Sequence, residues 1–264
     1  MSKLKLAPVY YTVAQIQFNP IEEMGNYLNT IQPAFRRLGF PDFKPQAFQK
    51  VVLAFNTVEG GNAVPPSIAS QSRYSFGNID GTESFVLETN SLAFQTTNYD
   101  VFTSFSKKFL EGLNIIHSAI ELSFVERIGI RYLDAVQPAQ DETLAKYLAN
   151  EVLGLSRKLS GHPTHSESVT VMSDEDGQVV SRIIITSGKI GFPMDIAATA
   201  PKINYRFTEA EGRHAILDTD SSFAQRFVFS LNEVTTRLNS LKIKISESFR
   251  ATVTDDALKI WDMK

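Results

Sequence analysis

From Phe102 to Ile120 the large apolar side chains fall at Phe102, Phe105, Phe109, Leu113, Ile116 and Ile120, each three or four positions after the last. Steps of that size keep returning to one side of an α-helix, so the segment reads as a long rod with one apolar stripe and with Lys107, Lys108 and Glu111 on its far side. Such a helix cannot bury its stripe alone and must lie against a second layer. Near the C-terminus Val234, Leu238, Leu241, Ile245 and Phe249 form a second stripe that makes the same demand.

The remaining chain reads mainly as strands. Residues 9 to 18 alternate apolar and β-branched positions up to Asn19-Pro20, and further strands are expected at Phe48 to Phe55, Arg73 to Gly77, Ser84 to Asn90, Ser91 to Asn98 and Phe124 to Val136. Asp80-Gly81 and the run Asp174 to Gly177 are hairpin sequences, the latter joining strands at Glu167 to Ser173 and Gln178 to Ile190. One more strand is expected at His214 to Ser221. Glu22 to Leu38 has helical spacing, with Pro33 predicting a break near Gln32 and Gly39 closing the helix. Phe40 to Pro45 reads as a turn, Asp141 to Leu155 as a shorter amphipathic helix, and Glu59 to Ser72 and Phe192 to Lys202 as loops, the first of them the most mobile.

These elements predict an α+β fold in which antiparallel β-sheets pack against two long amphipathic helices. Each half, 1–138 and 139–264, ends a run of strands on one long helix, which suggests two related α+β halves packed as one compact unit. A helix-grip-like arrangement, with a curved sheet around one helix, is the alternative. It would leave room for a ligand cavity between the layers, lined by Phe105, Phe109, Ile116 and Phe249.

Composition narrows the function classes. The 264 residues are 43% hydrophobic and 21% charged, ordinary for a globular chain, and 19 Phe against 8 Tyr and 1 Trp make the core aromatic. The lack of cysteine excludes disulfides, thiol catalysis and thiolate metal sites and fits a reducing cytoplasmic setting. No apolar run follows Lys3 and Lys5 as in a signal peptide, and none is long enough to span a bilayer, so membrane contact would be peripheral. A net charge of -3 disfavours nucleic acid as a partner.

Two charged patterns stand out. On a strand, Arg127, Gly129 and Arg131 share one face while Ile128, Ile130 and Tyr132 share the other, and Asp218 and Asp220 share a face of their own strand. The two arginines and two aspartates are expected to form ion pairs between neighbouring strands, or else Arg127 and Arg131 to bind a phosphate or carboxylate. A metal site would need Asp134, Asp218 and Asp220 to meet around a cation, the arrangement of an unrecognised hydrolase. His162 and His165 lie in a loop with Pro163, and His117 sits beside Ile116 on the Phe-rich helix. Arg36-Arg37, Lys107-Lys108, and Lys242 with Lys244 read as solvated faces, and Asp174, Glu175 and Asp176 as a solvated hairpin tip. No Walker, Rossmann, G-x-S-x-G or H-E-x-x-H sequence occurs, and the residues imply no cofactor and no metal.

Tyr74 to Phe76, Leu87 through Leu92 to Tyr99, Phe124 to Tyr132, Leu217 to Asp220, and the last long helix with Thr252 to Trp261 together resemble a sporadically distributed prokaryotic family of similar length with no assigned activity. Arg127 to Tyr132 is the most specific part of the resemblance, and residues 141 to 210 depart from it. The patchy distribution implies an accessory role such as antiviral defence or a toxin-antitoxin-like system. The expectation is therefore a non-enzymatic recognition or adaptor protein with a protein partner. The alternative is a binder of lipid or another small hydrophobic ligand.

Overall fold

The computed structural model describes residues 4–52, 67–160 and 164–262. In chain order the strands are β1 (Val9–Phe18), β2 (Asp42–Val52), β3 (Ser67–Gly77), β4 (Glu83–Glu88), β5 (Ser91–Thr96), β6 (Phe124–Val136), β7 (Ser166–Asp174), β8 (Gly177–Gly188), β9 (Gly212–Phe223) and β10 (Phe227–Val228). The helices are α1 (Leu28–Arg37), α2 (Phe102–Ile120), α3 (Met194–Ala197), α4 (Tyr205–Thr208), α5 (Leu231–Thr252) and α6 (Asp255–Asp262). The class is α+β, with one large antiparallel sheet in place of several.

The sheet runs in the order β2-β3-β4-β5-β1-β6-β9-β8-β7, with β10 on β6. At its centre β1 and β6 pair antiparallel, from Val9 opposite Asp134 to Phe18 opposite Val125. One meander extends outward from β1 and the other from β6. The sheet is continuous across residue 138, because β6 before it pairs with β9 after it.

Alternation along each strand divides the residues between two layers. Ala14 and Ile16 of β1, Phe85 and Leu87 of β4, Phe94 of β5, and Ile128 and Ile130 of β6 join the stripes of α1, α2 and α5 in the largest core. Its aromatic rings touch one another: Phe35 and Phe76 lie 4.4 Å apart, Phe85 and Phe94 4.6 Å, and Phe94 and Phe105 5.2 Å. Helix α2 approaches the sheet closely at Gly112, where a Cβ would stand 2.2 Å from Cε1 of Phe85. Ser230 opens α5 by accepting the Glu233 backbone N–H at 3.1 Å, a helix cap of the kind serine commonly supplies.

Several elements differ from the sequence reading. Pro33 lies inside an unbroken α1, where its missing N–H removes one helical hydrogen bond without ending the helix, and the irregular turn falls earlier, at Met24–Tyr27. Strand β2 begins at Asp42 and contains Pro45, tolerated because β2 is a sheet edge. Residues 67–72 belong to β3, and the rest of the expected loop, like the end of the expected second strand, lies largely outside the described residues. Asp141 to Leu155 is not one helix but short 3-10 turns at Leu144–Lys146, Asn150–Val152 and Gly154–Arg157, interrupted by the extended backbone of Ala149. Leu144, Tyr147, Leu148 and Leu153 still bury their side chains there, in a second core with Trp261.

Candidate functional site

The face of the sheet away from the long helices is crossed by a strap, residues 189–208, that includes α3 and α4. Ile190, Phe192, Ile196, Ile203 and Phe207 of the strap cover Tyr10, Tyr11, Leu133, Ala135 and Ile216. A register shift between Val9 and Tyr11 in the β1–β6 pairing interrupts the alternation, so that adjacent Tyr10 and Tyr11 both turn to the strap and both are buried. Hydrogen bonds tie the strap down. The Tyr10 hydroxyl donates to the Gly191 carbonyl at 3.0 Å, the Thr97 hydroxyl to the Lys202 carbonyl at 2.6 Å, and Gln95 Nε2 to the Thr199 carbonyl at 2.5 Å. Gln95 also accepts from the Tyr11 hydroxyl at 2.8 Å and donates to Ser84 at 3.0 Å, so its buried amide is fully used. Burial raises the hydroxyl pKa of both tyrosines, with nearby Asp218 and Asp134 adding to the rise at Tyr10.

Beside the strap the sheet surface remains open as a basin of about 300 Å³, lined among others by Gln15, Gln95, Arg127, Arg131, Asp195 and Asp220. Its floor follows from alternation on β6, which sends Arg127, Gly129 and Arg131 this way and Ile128, Ile130 and Tyr132 toward the helices. Gly129 makes space for a neighbour, since a Cβ there would come within 3.1 Å of both terminal nitrogens of Arg127.

A chain of opposite charges leads from the strap to the sheet edge. Arg131 Nη1 donates to Asp195 Oδ2 of the strap at 2.5 Å, while Nε and Nη2 donate to the two oxygens of Asp218 at 2.6 and 2.8 Å. Asp218, only 1% exposed, also accepts from Arg182 Nη1 of β8 at 2.7 Å. Arg182 Nε in turn lies 3.2 Å from Glu167 Oε1 on edge strand β7. Burial works to lower the Arg131 pKa, but its bonds to Asp218 and Asp195 outweigh that and hold it above the ordinary value. Burial works to raise Asp195, and the Arg131 guanidinium more than offsets it, holding the carboxyl below the usual range. Asp220 is raised by burial, against the pull of Arg127 and Arg131.

The structure therefore brings Arg127, Arg131, Asp218 and Asp220 to one face. Arg131 bonds Asp218, and Arg127 stands 3.8 Å from Asp220. It does not bring Asp134 to them, because Asp134 faces α5 on the other side of the sheet. Among the described residues no group of three or more His, Asp or Glu side chains is placed to hold a metal ion. His162 lies outside the described residues, His165 is exposed, and His117 stacks on Phe229 at 4.4 Å.

Of the expected cavity lining, Phe105, Phe109 and Ile116 are buried in the filled core, and Phe249 alone reaches a cavity, one also lined by Asp134 and Lys242. Lys242 and Lys244 are not a solvated face: Lys242 lies 4.7 Å over the Tyr132 ring, and Lys244 bonds Asp174 of the hairpin tip. Sequence reasoning missed Asp195, Arg182 and Gln95. Period-two spacing could have placed Gln95 and Arg182 on this face, but the irregular strap gives no such signal for Asp195.

No family model matches the sequence, and no curated protein is significantly similar to it. No helix among the described residues is long and apolar enough to cross a membrane.

Proposed function

We propose that this is a non-enzymatic recognition or adaptor protein that takes a small anionic ligand in the basin and presents edge strand β7 to a protein partner. The observation that carries this reading is the unequal state of the two basin arginines. Three nitrogens of Arg131 are engaged by Asp218 and Asp195, whereas the nearest carboxylate to Arg127, that of Asp220, is 3.8 Å away, too far for a hydrogen bond. A planar fork at that distance suits a carboxylate or phosphate that can reach both of its terminal nitrogens.

The charge chain through Asp195, Arg131, Asp218, Arg182 and Glu167 supports a link between basin and edge. Among the described residues strand β7 pairs only with β8, so its outer edge offers backbone groups for strand addition. Val169 and Val171, 51 and 52% exposed, share one face of it, and Met172, 63% exposed, lies on the other, apolar side chains suited to a protein partner. A sensing role of this kind fits the accessory setting, antiviral defence or a toxin-antitoxin-like system, that the family resemblance implies.

The test is titration of the protein with nucleoside monophosphates and dicarboxylates, followed by calorimetry. Saturable binding of one class is expected, weakened about tenfold or more in Arg127→Met, the loss of one charge-assisted pair. Binding that is unchanged in Arg127→Met, or no binding of either class, would contradict the reading. Turnover of the bound compound would show an enzyme instead.

A further inference from the structure

The second cavity, about 350 Å³, lies on the opposite side of the sheet, between β6, the start of α2 and the second half of α5. It falls at the small end of ligand pockets, which span roughly 300–1,000 Å³. Val9, Phe102, Ile245 and Phe249 give it apolar walls, Asp100, also in its lining, is exposed to solvent, and two charged side chains that are not exposed, Asp134 and Lys242, line it. Both stand where the fold calls for apolar residues. Asp134 continues the row Ile128, Ile130, Tyr132 on the helix side of β6, and Lys242 is the neighbour of the buried stripe residues Leu241 and Ile245.

Asp134 is 7% exposed, and among the described residues none donates a hydrogen bond to its carboxylate. Lys242 does not supply one. Its ammonium donates to Ser246 at 3.1 Å and rests over the Tyr132 ring, acting on Asp134 only through space. A buried carboxylate without a donor is a standing cost to the fold, and an apolar side chain would fill that row at no such cost. The cavity beside it is where a donor can enter.

The two charges select the head group. A carboxylate would set a second negative charge against Asp134, and an ammonium a second positive charge against Lys242. A neutral hydroxyl donates to the carboxylate and accepts from the ammonium in the same pose. We propose that this cavity binds a neutral single-chain amphiphile with a hydroxyl head, held between Asp134 and Lys242, with its tail along Phe102, Ile245 and Phe249. The inference is independent of the basin on the other face.

Trp261, the single tryptophan of the chain, has its ring 5.9 Å from that of Phe249 and can report the tail. The full-length protein is titrated with 1-decanol, decylamine and decanoate, read by Trp261 fluorescence and by native mass spectrometry. Saturable one-to-one binding of decanol is expected, with both charged analogues weaker by about tenfold or more. Asp134→Leu is expected to raise the melting temperature and to weaken decanol binding about tenfold, and Lys242→Met to weaken it likewise, deciding the matter if the first variant does not fold. The proposal is overturned if decanol does not saturate, if either charged analogue binds as well, or if the folded variants bind decanol unchanged.

Discussion

Arg131 gives two hydrogen bonds to Asp218, at 2.6 and 2.8 Å, although the residue opposite it in the β6–β9 ladder is Asp220. The diagonal choice sets the two aspartates apart. Asp218, held by Arg131 and Arg182 together, is buried, while Asp220 is left to Arg127 at the open side of the basin. Desolvating a carboxylate and a guanidinium is costly, and only the bidentate geometry and the second arginine offset it.

Removing one partner therefore leaves the other buried and uncompensated. Asp218→Ala is expected to lower stability by about 3–5 kcal/mol in urea unfolding. The double change Arg131→Met with Asp218→Leu should cost less than the sum of the single changes by about 0.5–3 kcal/mol. Strict additivity would mean the pair contributes nothing as a pair.

Gly112→Ala pits two effects against each other. Alanine favours a helix interior over glycine by about 1 kcal/mol. The added Cβ would stand 2.2 Å from the Phe85 ring, however, in a core already filled by aromatic neighbours, and overpacking of that kind costs about 1–3 kcal/mol. Net destabilisation is expected by urea denaturation, and Phe85→Leu in the same chain should recover part of it.

Asp134 gives stability a pH dependence of defined sign. Burial pushes its carboxyl from 3.8 up to about 7, with Lys242 pulling the other way. A raised carboxyl favours the protonated native state, so its contribution is fully present below pH 4 and is lost as pH climbs to about 7, a loss of at most roughly 4 kcal/mol. In Asp134→Leu that fall between pH 4 and 7 should flatten, as measured by chemical denaturation across the range. An unchanged profile would place the titration elsewhere.

The strap depends on Gln95 for one of its anchors. In Gln95→Ala the Thr199 carbonyl and the Tyr11 hydroxyl both lose their partner. Amide exchange over residues 189–208 should quicken while α2 stays protected, because local openings follow local contacts. Equal acceleration in α2 would indicate global loosening instead.

Legibility in the sequence followed periodicity. Phe105, Phe109, Leu113 and Ile116 of the first stripe lie on the buried face of α2, and Val234, Leu238, Leu241 and Ile245 of the second on that of α5, because a helix facing one core must repeat at its own pitch. Alternation likewise put Arg127 and Arg131 on one face. Residues 189–208 carry apolar side chains at Ile190, Phe192, Ile196, Ile203 and Phe207 with no regular spacing, so their role as a cover over Tyr10 and Tyr11 depends on a chain reversal that no local pattern encodes. Tyr147 and Leu148 bury themselves as helical residues would, yet the short 3-10 turns around them obey tertiary contacts with Trp261 and Val253. The placing of Asp134 and Lys242 in the lining of one cavity was equally hidden, since each looks unremarkable until β6 meets α5.

The proposed coupling of the basin to the edge strand through Arg131, Asp218 and Arg182 is tested most directly by amide exchange in Asp195→Asn. Losing the strap carboxylate should leave Arg131 to Asp218 alone, alter the share of Asp218 held by Arg182, and loosen its contact with Glu167, so β7 exchanges faster along with the strap. Adding Arg182→Met should make β7 insensitive to the change at Asp195. A strap that loosens while β7 exchanges as in the unaltered protein would contradict the account.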